Sequence, residues 1–279
     1  MASVLALLAV TAVWGWTFVV VRQAIEVYPT LPFLGLRFVL GAALLAPLLR
    51  PGRSGFRAGI VPGIVLATGY LTQTIGLSYT TASQAGLFTG LYVVLTPVLG
   101  VIIFRTRPPR LTVAAVVIAG IGSAFLAGGG PSGGAHHLFG DFLEFTTAVL
   151  FALHIVLLGH FAPRHDAGTM AFTQLATAAV LFLGASVPQG IPVPPPSVLF
   201  ALGVTGALAS AAAFWVQTYV QQRVAPSRTA LIMVAEPAFA AFFGVVLAGD
   251  VFSSLQWLGA AAILGALVLH EGSPYLRRQ

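Results

Sequence analysis

The sequence predicts an all-α integral membrane protein, with ten transmembrane helices arranged as two inverted five-helix repeats around a central cavity. Three observations carry this expectation. Of 279 residues, 58% are hydrophobic and 7% are charged, with a mean hydropathy of +0.96, whereas a soluble domain carries about 25% charge. The apolar residues fall into ten runs of ~17–25 residues, the length of a membrane-crossing helix. Arginines gather at every second joint between those runs, as they do on the cytoplasmic side of membrane proteins. The net charge of +6 is therefore a topology signal rather than a nucleic-acid footprint. With no cysteine in the chain, a disulfide framework, a thiolate metal site and a haem attachment are all excluded.

In order, the runs are Val4–Val21, Leu31–Leu49, Ala58–Ser78, Thr81–Phe104, Leu111–Ala127, Phe139–His160, Gly168–Val187, Ser197–Gln221, Pro226–Ala248 and Ser253–His270. Helix breakers mark the joints: Pro29 and Pro32, Pro51-Gly52, Pro108-Pro109, Gly128 to Gly134, Pro163, Pro188 to Pro196, and Pro274. The N-terminus has no basic stretch before its first apolar run, so that run reads as a retained span. Arg50, Arg53 and Arg57 follow span two, and Arg105, Arg107 and Arg110 follow span four. Arg164 follows span six, Arg223 and Arg228 follow span eight, and Arg277 and Arg278 close the chain. All lie on one side if the spans alternate, which places both termini in the cytoplasm. The opposite side has Arg22 beside Glu26, with Asp141 and Asp250.

Five spans per half force the halves to be inverted. The division reads as residues 1–130, a linker over 131–138, and residues 139–279, with the glycine-rich stretch Gly128 to Gly134 as flexible chain. Trp14-Gly15 in span one answers Phe151-Ala152 in span six. Thr81 to Ser83 opens span four as Ala225 to Ser227 opens span nine, and each leads to a proline. Thr96-Pro97 and Glu236-Pro237 break these two spans at mid-depth, and paired broken spans mark a transporter's binding site.

The string Gly76-Leu77-Ser78-Tyr79-Thr80-Thr81-Ala82-Ser83-Gln84-Ala85, continued by Leu91-Tyr92-Val93-Val94-Leu95-Thr96-Pro97, resembles the EamA-type drug/metabolite transporter superfamily. So do Trp14-Gly15, Leu36-Arg37-Phe38, Gly140-Asp141 and Glu236-Pro237, so the likeness extends over the whole chain. It implies the ten-helix inverted repeat, a cavity between halves, and export of small metabolites or amino acids. Span four ends in Arg105-Thr106-Arg107, where many members carry an acidic residue.

Candidate site residues come from polar positions inside the spans. Glu236 is a carboxylate at membrane depth, where it needs an aqueous or polar lining. It reads as a site for a proton or a substrate amine; the alternative is a structural carboxylate bonded across the bundle. Glu144, Thr147, Phe151 and His154 recur at helical spacing on one stripe, with Glu144 and His154 about 15 Å apart along the axis. Trp14 and Thr17 occupy the repeat positions of Phe151 and His154. Tyr70 and Gln73 share a stripe on span three, Tyr92 lies on span four, and Gln217 lies on span eight. Aromatic rings beside a few amides suit a mostly apolar pocket with a handful of polar contacts. The substrate-binding set is thus Trp14, Thr17, Tyr70, Gln73, Tyr92, Glu144, Phe151, His154, Gln217 and Glu236. Arg37 is a candidate countercharge for either carboxylate or a structural anchor, and Pro97 and Pro237 are candidate hinges.

Gly59 with Gly63, and Gly86 with Gly90, have small-xxx-small spacing, read as packing within the chain; the oligomer is expected to be a monomer or weak dimer. His136 and His137 fall in a loop without ligand spacing, so no metal and no cofactor is expected. Within the spans there is no HExxH, no GxSxG and no aspartate pair, which argues against an enzyme. The expected partners are a small-molecule substrate, protons and the lipid bilayer, with no nucleic acid; facilitated diffusion is equally consistent with the sequence. The expected place is the bacterial inner (plasma) membrane. A nucleotide-sugar or sugar-phosphate antiporter would want several cations in its cavity. Arg37 alone is intramembrane, which favours an uncharged, zwitterionic or cationic solute.

Overall fold

The computed structural model describes residues 2–49, 55–128, 134–249, 251 and 253–276. They form ten helical spans: α1 (Ala2–Ile25), α2 (Thr30–Leu48), α3 (Phe56–Leu77), α4 (Ala82–Phe104), α5 (Arg110–Gly128), α6 (Gly134–Phe161), α7 (Ala167–Ser186), α8 (Pro196–Gln221), α9 (Pro226–Ala248) and α10 (Ser254–Leu276). Among the described residues, eight regions are long and apolar enough to cross a membrane. The other two, within α5 and α10, have shorter apolar stretches, Arg110–Phe125 and Ser254–His270. Arg50, Arg53, Asp250, Arg277, Arg278 and residues 129–133 lie outside the described residues.

Two boundaries differ from the expected ones by five residues or more. The α6 helix begins at Gly134, so the backbone of His136 and His137 is helical rather than looped; their side chains lie outside the described residues. The α10 helix runs through Pro274 to Leu276. Polarity marks where the apolar stretch stops, whereas a helix can project into water for as long as its own hydrogen bonds hold.

Capping is local and legible. Thr81 Oγ1 accepts from Gln84 N at 3.1 Å at the start of α4, and Asp166 Oδ1 accepts from Thr169 N at 3.0 Å at the start of α7, each satisfying an otherwise orphaned amide. Arg105 ends α4 with φ 53. There Thr106 N donates to Gly100 O and Arg105 N to Val101 O, closing the helix with a left-handed residue.

The second half repeats the first in inverted orientation. The same spacing, 144 positions, separates Ala82 from Pro226, Thr89 from Met233, Phe104 from Ala248 and Arg110 from Ser254. For α2 and α7 the starts, Thr30 and Ala167, are 137 positions apart, and the longer second joint before α8 absorbs the difference. Packing crosses between halves throughout. The α1 helix lies on the C-terminal part of α9, and α6 on the C-terminal part of α4; α3 packs on both α6 and α7, α2 packs on α7 and α8, and α5 pairs with α10.

Small residues set these approaches. Gly59 and Gly63 of α3 face Thr173, Thr177 and the Met170 and Gln174 carbonyls of α7. Gly86 and Gly90 of α4 face Ala240 and Pro237 of α9. Both glycine pairs therefore serve contacts inside the chain.

The discontinuities in α4 and α9 occupy equivalent places. α4 is two helices, Ala82–Thr89 and Tyr92–Phe104, and α9 passes from Pro226–Met233 to Ala235–Phe243. At Gly90, Leu91 and Val234 the ψ angles are −17, −15 and −8, nearer a 3₁₀ turn than an α-helix. In α9 the break immediately precedes Pro237, as its sequence suggests. In α4 it lies at Gly90-Leu91, and Pro97 sits inside the following helix. The break positions repeat between the halves; the prolines do not.

Candidate functional site

Between the halves lies a cavity with about 610 Å³ of empty space, counted out through its mouth. Its wall includes Trp14, Thr17, Tyr70, Gln73, Tyr92, Phe151, His154, Gln217 and Glu236, together with Arg37. Equivalent positions of the two repeats both contribute to it: Trp14 and Phe151, Thr17 and His154, Gln73 and Gln217, and Tyr92 and Glu236. Tyr70 likewise answers Phe214, a wall residue whose place follows from the repeat spacing.

The broken helix of α9 organises one pole. Pro237 has no N–H to donate to the carbonyl four residues back, which is Met233 O. Tyr92 Oη takes up that free acceptor from across the bundle at 2.5 Å. The same hydroxyl lies 3.3 Å from Glu236 Oε2, so one side chain of α4 bridges the carbonyl and the carboxyl at the break. Glu236 is 5% exposed.

Arg37 organises the other pole. It is 2% exposed, donates from Nε to Ser210 Oγ at 2.9 Å and from an Nη to Tyr70 Oη at 3.2 Å, and lies over the Tyr70 ring at 4.5 Å. These contacts use two of its five N–H groups. It meets neither Glu236 nor Glu144 directly; among the described residues the ion pair is Arg22 with Glu26, at 3.8 Å. Ser210 lies in Val204–Ala212 of α8, a π-helical stretch rich in small residues. From the same stretch Ala209 O accepts Trp14 Nε1 at 2.8 Å. Such widened turns recur at functional sites.

Between the poles stand aromatic rings. Tyr70 meets Phe38, Phe151 and Phe214 edge-on at 5.1, 5.4 and 6.1 Å, and Phe214 contacts Trp14 at 5.4 Å. His154 Nε2 lies 2.7 Å from Gln174 Oε1. Gln174 Nε2 is committed to Met170 O and Thr218 Oγ1, so its oxygen faces the imidazole, His154 donates from Nε2, and Nδ1 is left as the acceptor. Gln217 donates to Gln221 Oε1 at 3.3 Å, while its own Oε1 is buried with no hydrogen-bond partner.

Glu144 is set apart from the cavity wall. It is fully buried, behind Gln73 and Thr89, with its carboxyl against Gly76 of α3. Helical periodicity correctly places it on the stripe of Phe151 and His154, but its greater distance along α6 puts it behind a different layer of neighbours. Ser210 and Gln174 escaped the sequence reading because each acts through a partner on another helix. Among the described residues, no group of three His, Asp or Glu could hold a metal.

Comparison with known proteins agrees with this architecture. The model of the EamA-like transporter family matches residues 1–128 and again 138–270. An "uncharacterized transporter" of Archaeoglobus fulgidus is 29% identical over 270 residues, covering 95% of this chain and 84% of that protein. The "uncharacterized inner membrane transporter YedA" of Escherichia coli K12 is 26% identical, covering 97% and 91%. A solved crystal structure that is 20% identical superposes with a TM-score of 0.76, covering 98% of this chain and 97% of its own, which bears on the fold. Two family matches, one per repeat, on a ten-helix bundle with an intramembrane cavity lead to one conclusion: the chain belongs to the EamA-like transporter family.

Proposed function

We propose that this transporter exports small zwitterionic solutes, aromatic and aliphatic amino acids foremost, by alternating access across the bacterial inner membrane. The observation that carries the reading is a mismatch inside one cavity: Arg37 and Glu236 both line it, both are buried, and among the described residues neither has an ion-pair partner. Burying a lone charge is costly. A bound amino acid supplies both missing partners, its carboxylate to the unused N–H groups of Arg37 and its ammonium to Glu236 and Gln217 Oε1. The rings between the poles accommodate the side chain. A hydrophobic cation would engage only the Glu236 pole.

In this reading the arginine-bearing ends and both termini face the cytoplasm. The two repeats rock against each other, and the turns at Gly90-Leu91 and Val234 are the pivots.

Counterflow of L-phenylalanine or L-leucine in proteoliposomes tests the proposal. A charge-assisted hydrogen bond contributes about 1.5–3 kcal/mol, so Glu236→Gln and Arg37→Gln should each weaken solute affinity by roughly 10- to 150-fold while leaving insertion intact. Phenethylamine, which lacks the carboxylate, should compete poorly with wild type and lose less than phenylalanine does when Arg37 is replaced. Equal competition by phenethylamine and phenylalanine would refute the two-pole reading.

A further inference from the structure

Glu144 is the buried ionisable group that the solute site leaves unused. It has no exposure, its Oε1 has no hydrogen-bond partner, and its Oε2 lies 3.4 Å from Thr89 Oγ1. The hydrogen of that threonine has a better acceptor, Ala85 O at 2.9 Å, while Gln73 Nε2 donates into the same hydroxyl oxygen at 3.3 Å. Thr89 Oγ1 therefore has a lone pair facing Oε2, and the contact is satisfied when the carboxyl itself supplies the hydrogen. Gly76 makes room for this group: a Cβ there would lie 2.8 Å from Oε1.

The groups packed directly on its carboxyl are, among the described residues, uncharged. Among the described residues, α3 presents Gly76, Gln73 and Thr72 on this side, with Tyr79 following in the joint, and α4 presents Thr89. The nearby acid is Asp141, one turn earlier on α6 and half-buried, between Glu144 and the end of the bundle. Gln73 is the link in the opposite direction, because its carboxamide both lines the solute cavity and donates to Thr89.

We propose that Glu144 is a proton-binding site separate from the solute cavity and coupled to it through Thr89 and Gln73. A solute that engages the Gln73 carboxamide alters the partner of Thr89, and Thr89 Oγ1 is the group that accepts the hydrogen bond of the protonated Glu144 carboxyl. Loading at one site then shifts loading at the other, reciprocally. The inference rests on the transporter assignment and on Gln73 facing solute, but its first test needs no solute.

That test is infrared difference spectroscopy of the full-length protein in lipid nanodiscs, titrated with acid and base. The expected result is a carboxylic-acid carbonyl band, sensitive to deuterium, that disappears in Glu144→Gln and survives in Glu236→Gln. In Thr89→Val, which keeps the shape of the threonine but lacks its oxygen, the band should persist and move to the position of a carbonyl whose O–H is unbonded. A band unchanged by Glu144→Gln, or none assignable to Glu144 at any pH at which the protein stays folded, would overturn the proposal.

Flux supplies the second readout. With L-leucine as probe, Glu144→Gln should abolish the acceleration that a pH gradient gives wild type, while leucine exchange at equal pH persists. Retained acceleration would overturn coupling at Glu144. If leucine is not transported by wild type, the amino-acid reading fails while the spectroscopic result still decides the proton site.

Discussion

A single missing amide shapes the environment of Glu236. Pro237 frees Met233 O, and Tyr92 Oη fills that acceptor while reaching the carboxyl beside it. Tyr92→Phe removes the hydroxyl and keeps the ring, leaving a carbonyl without its partner inside the bundle. Interhelical hydrogen bonds of this kind contribute about 0.6 kcal/mol on average and up to ~1.7. We expect a lowered unfolding midpoint of the purified protein, measured by thermal fluorescence, with a larger loss in solute affinity. An unaltered midpoint would mean that Met233 O finds water in place of the phenol. The motif Glu236-Pro237 announces this place in the sequence. Nothing in the sequence names Tyr92 as its partner, because the bond spans two repeats whose contact arises only when they pack.

At the level of the helix, the two breaks show how much a proline says. Pro237 marks the α9 break closely. Pro97 misleads by about two turns, since the α4 break sits at Gly90, pressed against the Pro237 ring. A Cβ at Gly90 would collide with that ring and approach Leu87 O at 3.2 Å. Gly90→Ala should therefore cost about 1–3 kcal/mol through overpacking. Gly184 of α7 has nothing within 4 Å of an added Cβ, so Gly184→Ala should stabilise by about 0.5–1 kcal/mol. Opposite shifts in unfolding midpoint for the two substitutions are the expected outcome; shifts of the same sign would show that space at Gly90 is not limiting. The glycine spacing was readable in the sequence. Which partner each glycine met was not, since Gly59 and Gly63 contact α7 and Gly86 and Gly90 contact α9.

For the whole molecule, the decisive feature is that each half completes the other. The α1 helix finds its cover on α9, α6 on α4, and α2 on α7 and α8. Residues 1–130 and 139–279 made separately should each fail to yield a monodisperse protein, while co-expression should return a complex that co-purifies. A stable, folded 1–130 fragment alone would contradict this interdependence. Such interleaving also explains why a cavity forms at the seam. Arg37 and Ser210, one from each half, meet across it, while His154 and Gln174 pair beside it within the second half.

Composition, span length and arginine placement suffice for the class of protein, because hydrocarbon demands about twenty apolar residues per crossing and satisfied backbone hydrogen bonds within each. Polar and aromatic positions inside the spans, with the Glu-Pro break, likewise point to much of the cavity wall, since such side chains need a lining other than lipid. Tertiary structure alone decided that Glu144 stands behind the wall, that Arg37 meets Ser210 and Tyr70 instead of a carboxylate, and that α4 bends at Gly90. Each of those depends on which helices touch and at what depth, and long-range contacts of that kind leave no periodicity in the chain.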